Sequence, residues 1–268
     1  LAYRTPVLLV PSMINRWYVL DLRAGSSFVE GLVNAGHDVY LLDWGVPRDE
    51  DRYLTWAEVI DRLARVVRFV LRDTGADRTG ILGYCLGATL STIYTALNPE
   101  RVAALVNLAG PIDFSHAGFL GHMVDRRWFD PAAIAAAGNV QPVQMQTGFT
   151  SMRPTINLSK IVGYLDRMSS KAARDSFYAI ETWGGDNIPF PGAAYETYIS
   201  ELYQQNALVR GTHRVRGRVA DLGAITCPVL TIGSERDAIC PLPAARALNE
   251  RCGSDDTTVL TVPGGHVG

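Results

Sequence analysis

A cysteine stands at the centre of the run Gly83-Tyr84-Cys85-Leu86-Gly87, and that spacing has a chemical use. A turn that lifts a side chain from the end of a strand into the start of a helix is very tight. Side chains two residues before and two residues after its apex would collide with neighbouring backbone, so Gly83 and Gly87 are the residue type the turn requires. The apex residue takes a strained backbone conformation that thrusts its side chain above the sheet. It also sits at a helix N-terminus, whose dipole favours thiolate over thiol. The N–H of Leu86 then points where an oxyanion would form during attack on a carbonyl. The chemistry implied is nucleophilic acyl transfer through Cys85.

Such a nucleophile needs a base and a group that orients the base. In the α/β-hydrolases, whose Gly-x-nucleophile-x-Gly elbow this run matches, the chain order is nucleophile, acid, base. Asp237 follows the apolar run Val229–Ile232 in Gly233-Ser234-Glu235-Arg236-Asp237, and His266 follows the run ending at Val262 in Pro263-Gly264-Gly265-His266-Val267-Gly268. Both stand beyond the C-terminal ends of strands, where sites on open α/β sheets gather. Singly, each has a plainer reading: Asp237 as a helix cap, His266 as a loop residue, Cys85 as a small buried hydrophobe. Asp21 and Asp43 compete as acids but precede the nucleophile. His37, His116, His122 and His213 compete as bases but none follows a late strand, and they read as surface or cap residues. Arg210, Arg214, Arg216 and Arg218 with His213 read as a solvated hairpin, with phosphate binding as the alternative.

The elements that must position these groups are legible as alternating short apolar runs and longer amphipathic stretches, the pattern of βαβ units and a mostly parallel sheet. Val7–Val10 reads as a strand, followed by a loop from Pro11 to about Gly25 and a helix with Phe28, Leu32 and Val33 at apolar spacing. Val39–Leu42 is the next strand. Thr55 and Glu58 form a capping box ahead of a helix whose Trp56, Val59, Ile60, Leu63, Val67, Val70 and Leu71 share one face, and Gly75 marks its stop. Gly80–Leu82 enters the cysteine turn and Ala88–Leu97 leaves it as a helix. Val102–Leu108 is a strand. From about residue 112 to residue 211 helical stretches, prolines and aromatics (Phe114, Phe119, Trp128, Phe129, Phe149, Trp183) replace the alternation, as a cap inserted over a sheet would. The pattern resumes with Val229–Ile232, a helix after Pro241, and Thr257–Val262. The expected organisation is therefore an α/β-hydrolase core in 1–111, a cap or lid in 112–211, and the rest of the core in 212–268, with helices on both faces of the sheet.

The chain has 268 residues, 19% charged and 47% apolar, with 25 basic against 27 acidic side chains. That is the balance of a soluble protein with a generous core, and it offers no general attraction to nucleic acid or anionic lipid. No apolar run approaches transmembrane length. The four cysteines lack metal-ligand spacing, and a domain of this size needs no disulfides, so a reducing cytoplasm is expected. Starting at Leu1 rather than Met and stopping at Gly268 without a closing helix, the chain reads as a stretch of a longer protein.

These residues resemble the polyhydroxyalkanoate (PHA) synthases over nearly the whole chain. The resemblance rests on Val10-Pro11-Ser12-Met13-Ile14-Asn15-Arg16, Leu20-Asp21-Leu22-Arg23, Asp38 to Gly45, the cysteine box, Pro111-Ile112-Asp113-Phe114, Leu202-Tyr203-Gln204-Gln205-Asn206, Asp221 to Pro228, and the Gly-Gly-His-Val-Gly ending. Asp43-Trp44-Gly45 and Pro263-Gly264-Gly265-His266 look like the class III enzymes, which work with a second subunit. The Tyr84-Cys85-Leu86 box and Ile14-Asn15 look closer to class I, and the class stays open. Ala88 stands where the family has a further glycine, and Ala238 where it has histidine. The resemblance implies a 3-hydroxyacyl-CoA thioester as substrate, released CoA, a growing polyester at a granule surface, a homodimer and no cofactor. It implies Cys85 as nucleophile and His266 as base, oriented by Asp237 or sharing the work with it. Leu86 N–H, with an N–H from Met13 or Ile14, would hold the oxyanion. Two rivals remain: a cysteine hydrolase (thioesterase, PHA depolymerase or dienelactone-hydrolase-like), and a silent scaffold that binds a partner or granule surface.

Overall fold

In the computed structural model, residues 2–151 and 170–267 are described, and for 149–151 the backbone alone. Phe149 and Gly268 of the readings above, and residues 152–169 of the expected cap, therefore lie outside the described side chains or residues. Six parallel strands form the central sheet: β1 (Val7–Val10), β2 (Val39–Leu41), β3 (Thr79–Tyr84), β4 (Val102–Leu108), β5 (Val229–Ser234) and β6 (Thr257–Val262), in the order β6-β5-β4-β3-β1-β2. The chain builds outward from β1 to β2 and then returns to lay β3 on the other side of β1. This reversal of strand order opens a crevice at the C-terminal ends of β1 and β3.

Register decides what shares that edge. Val10 pairs with Gly83, Tyr84 with Leu108, Leu108 with Ile232, and Ser234 with Val262. The loops that leave β1, β3, β5 and β6 therefore emerge side by side, although they carry residues as distant in sequence as Met13 and His266.

Strand alternation sends neighbouring residues to opposite faces. Leu8, Val10 and Ile81 enter a large core with α2 (Trp56–Thr74) and α3 (Leu86–Leu97), while Leu9, Leu82 and Tyr84 enter a smaller one on the other face. All seven apolar residues expected on the α2 face are buried. The helix starts with both halves of the Thr55/Glu58 capping box and stops at Gly75 in the left-handed conformation, φ 69°. All twelve residues of α3 are buried. Three of its hydroxyls are satisfied internally or by the next loop, with Ser91 donating to the Gly87 carbonyl at 2.7 Å, Thr95 to Ser91 at 2.7 Å and Thr89 to Pro111 at 2.8 Å, while Thr92 Oγ1 is buried without a partner among the described residues.

Several local readings need correction. The stretch Pro11–Gly25 is not plain loop: a 3-10 turn (Trp17–Leu20) leads to a small hairpin of Asp21–Arg23 against Ser26–Ser27. In α1 (Phe28–Asn34) it is Val29 and Leu32 that pack on the sheet, while Phe28 and Val33 face outward; two turns of helix present too narrow a stripe for all four. The elbow helix begins at Leu86, not Ala88. His213 is fully buried rather than on the surface: the Trp56 Nε1–H donates to its Nε2 at 3.1 Å and its Nδ1 meets Glu201 Oε2 at 2.7 Å. The arginine run around it does form a hairpin, Arg214–Val215 against Arg218–Val219, with Arg216 paired to Asp61 at 2.7 Å and Arg218 bonded to the Leu97 carbonyl.

Between β4 and β5 run α4 (Gly118–Met123), α5 (Pro131–Ala136), α6 (Pro142–Ser151), α7 (Lys171–Gly185) and α8 (Gly192–Thr197), the last continuing into a π-helical turn, Tyr198–Gln204. These segments meet the loop after β1: Ile188 N–H donates to the Ile14 carbonyl at 3.3 Å and Trp183 Nε1–H to the Arg16 carbonyl at 2.9 Å. They thus lie at the same end of the sheet as the elbow. Among the described residues no helix is long and apolar enough to cross a membrane.

Candidate active site

Cys85 has φ 55° and ψ −126°, a region that costs a non-glycine residue about 1–3 kcal/mol and that the surrounding backbone imposes. Its N–H is held by the Leu108 carbonyl at 2.9 Å, and its own carbonyl receives Ala88 N–H at 2.9 Å, the first turn of α3. The flanking glycines are required by contact. A Cβ on Gly83 would lie 2.4 Å from Ala88 Cα, and one on Gly87 would lie 2.2 Å from the Val10 carbonyl oxygen. The second contact also shows how closely the loop after β1, with Met13 and Ile14, passes the elbow. Ala88 is accommodated because Gly110 faces it; a Cβ on Gly110 would stand 2.3 Å from that of Ala88.

His266 and Asp237 meet as ordered: His266 Nδ1 is 2.7 Å from Asp237 Oδ2, with the Asp237 side chain fully covered and that of His266 9% exposed. The other carboxylate oxygen, Oδ1, accepts the N–H groups of Ile239 and Cys240, each at 2.8 Å. Asp237 is thus fixed by backbone on one side and aimed at the imidazole on the other, and the side chain of residue 238, alanine here, takes no part. With Nδ1 donating to Asp237, Nε2 is the nitrogen left to face the nucleophile. Burial is the largest influence on this imidazole and disfavours its charge. The negative charge of Cys85 and the hydrogen bonds to Asp237 and Cys85 outweigh burial, and the pKa is pushed up to about 10.

Residue spacing had not marked the groups that hold His266. The Tyr84 hydroxyl donates to the His266 carbonyl at 3.2 Å, with the two rings 5.5 Å apart, and Ser234 donates to the Gly264 carbonyl. The one sequence signal was position, since each lies at the end of a strand beside a candidate residue. Of the competitors, Asp21 accepts from Ser27 and Asp43 from Gly45 N–H, while His37 stacks on Tyr3. Leu86, Met13 and Ile14 border the elbow, and Ile14 N–H lies 3.5 Å from Ser12 Oγ.

Ile14 also forms part of the wall of an apolar cavity of about 330 Å³ between the loop after β1 and the α4–α8 segments, with Val124, Phe129, Phe190, Tyr198 and Tyr203 among its other walls.

A strained cysteine at a helix N-terminus, next to an imidazole held by a buried carboxylate, can attack an acyl carbon and manage the associated proton. The alpha/beta hydrolase fold family matches over residues 5–268. Solved structures agree on the fold. A putative non-heme bromoperoxidase from Mycobacterium tuberculosis aligns with TM-score 0.61 at 18% identity over 98% of this chain and 85% of its own. A monoacylglycerol lipase from Paleococcus ferrophilus aligns with TM-score 0.56 at 15% identity over 98% and 87%. Among curated proteins, the poly(3-hydroxyalkanoate) polymerase subunit PhaC of Allochromatium vinosum is 34% identical over 100% of this chain and 76% of its own length. The chain belongs to the PhaC family. The PhaC subunit of Haloarcula marismortui is 36% identical over 98% of the chain, and that of Haloferax mediterranei 34% over 99%. The chain spans about half the length of these two relatives, 56% and 55%.

Proposed function

We propose that this chain carries the catalytic core of an acyltransferase that polymerises 3-hydroxyacyl-CoA thioesters into polyhydroxyalkanoate with release of CoA. The observation that carries the reading is the ordered Cys85–His266–Asp237 contact at the switch point of the sheet, in a chain of the PhaC family. Cys85, as thiolate, attacks the thioester carbonyl; the new C–S bond forms as the bond to CoA breaks, and the departing thiolate takes the proton from His266. Leu86 N–H, with Met13 or Ile14 N–H, holds the oxyanion in this scheme. Thioester exchange is nearly isoenergetic, so the acyl-cysteine keeps its reactivity for the next acceptor, which a serine ester would not. His266, steadied by Asp237, then takes the proton of a second 3-hydroxyl as that oxygen attacks the acyl-cysteine; the new C–O ester bond forms as the C–S bond breaks and Cys85 leaves as thiolate. The apolar cavity houses the acyl group, and the α4–α8 segments keep out the water that would otherwise hydrolyse the intermediate. Coenzyme A enters as part of the substrate, and no cofactor takes part. The relatives are named as subunits of a polymerase, which supports a second subunit as partner. The same reading has the protein work at a granule surface in the cytoplasm, and the family resemblance adds a homodimer to it.

The test follows free CoA and polymer mass after addition of 3-hydroxybutyryl-CoA to the intact protein. Wild type is expected to yield both, and Cys85→Ala to lose CoA release by at least about 10³-fold, as loss of a covalent nucleophile does. Release of free hydroxy acid without polymer would make the protein a hydrolase. CoA release by Cys85→Ala at the wild-type rate would end the acyl-cysteine scheme.

A further inference from the structure

The segment after α8 is a π-helical turn, Tyr198–Gln204, an uncommon geometry that recurs at functional sites. Its hydrogen bonds span five residues rather than four, so side chains five apart are stacked. In an α-helix the same two positions would diverge by about 140°. Here the stacked positions are Tyr198 and Tyr203, whose rings meet edge to face with centroids 5.3 Å apart. A tyrosine hydroxyl can both donate and accept a hydrogen bond.

The pair sits in an otherwise apolar wall. Both residues line the 330 Å³ cavity that reaches Ile14 beside the elbow. Two other polar side chains in the lining are engaged: Gln144 accepts from Gln141 N–H at 2.7 Å and Thr147 donates to the Val143 carbonyl at 2.8 Å. Burial raises the pKa of both phenols, so they remain neutral donors. A cavity that only had to hold hydrocarbon would be better lined by phenylalanine, because a buried hydroxyl is costly unless it finds a partner.

Resting on the acyl-cysteine reading above, we propose that the Tyr198–Tyr203 pair binds the 3-hydroxyl of the acyl group carried on Cys85. The substrate class selected is then a thioester with a hydroxyl near the carbonyl, in preference to a plain fatty acyl thioester.

The experiment is single-turnover loading of Cys85 in the intact protein by 3-hydroxybutyryl-CoA and by butyryl-CoA, read as acyl-enzyme mass and released CoA. Wild type is expected to load the hydroxylated thioester at least about tenfold faster, the effect of one satisfied hydrogen bond in a dry site. At least one of Tyr203→Phe and Tyr198→Phe should bring that ratio to about twofold or less through loss on the hydroxylated thioester. Both variants remove one oxygen and keep ring packing, and a purely structural role would slow both thioesters alike. A ratio unchanged in both variants, an equal loss on both thioesters, or a wild type that does not discriminate would overturn the assignment while leaving the acyl-cysteine intact. A wild type that loads neither thioester would overturn both.

Discussion

At Cys85 backbone strain and electrostatics act on the same atom. The positive φ lifts Sγ out of the sheet edge, the α3 N-terminus favours negative charge there, and His266 supplies the counter-charge. The imidazole is the side chain whose titration reports on this arrangement. Its pKa of about 10, raised from the ordinary 6.5, means that His266 stays protonated through neutral pH as long as Cys85 and Asp237 are charged. A histidine whose folded-state pKa is raised lends stability that is complete below about 6.5 and is lost as pH climbs through 10. NMR titration of the His266 ring should therefore show a midpoint near 10 in wild type. In Cys85→Ala, which removes one charge and one hydrogen bond, the midpoint should fall back toward 6.5. A midpoint unmoved by Cys85→Ala would mean that the cysteine carries no charge beside the ring. Of these features the residue types and chain order were readable beforehand; the contact of His266 with Asp237 was not, because it joins loops that leave two different strands.

Among the elements, the elbow and α2 show how much local spacing encodes. The buried face of α2 follows from 3.6-residue periodicity, and its two ends follow from a capping box and a glycine. The elbow glycines follow from how near the backbone passes. Gly87→Ala would press a methyl group to within 2.2 Å of the Val10 carbonyl. It is expected to cost at least about 2 kcal/mol in urea denaturation and to slow thiol modification of Cys85 by displacing the turn. Wild-type stability in Gly87→Ala would show that the β1 loop yields freely. Ala88 illustrates the opposite case. The family's glycine is missing there, yet the turn survives because Gly110 provides the room, a compensation 22 positions along the chain that no local reading finds. The π turn was equally hidden, since Tyr198–Gln204 carries no composition that separates five-residue from four-residue hydrogen bonding.

Across the whole molecule the parallel order β6-β5-β4-β3-β1-β2 does the assembling, because it delivers four loops to one edge. His213 fastens a different part of the same frame. From beside the arginine hairpin it links Trp56 at the start of α2 to Glu201 in the π turn. His213→Ala strips both partners and opens a hole in a fully buried site, so a loss of about 2–3 kcal/mol is expected. Because Glu201 shares a turn with Tyr198 and Tyr203, the variant should also weaken acyl loading, whereas an exposed histidine would leave stability within about 0.5 kcal/mol of wild type. Equilibrium denaturation separates the two outcomes.

Sequence alone determined what is local or ordered along the chain. Periodicity, caps and the glycine spacing placed the strands, α2 and the elbow, and the order Cys85, Asp237, His266 singled out three residues. Tertiary structure decided which side chains touch. It set His266, one of five histidines, against Asp237 and Cys85, buried His213 in a separate contact, and brought the Tyr84 hydroxyl to a carbonyl 182 residues away. It also folded Tyr198 and Tyr203 onto one face. The physical reason is range. A residue's neighbours along the chain constrain its backbone directly, whereas contacts between distant residues exist once strand register and packing have been settled by the whole core.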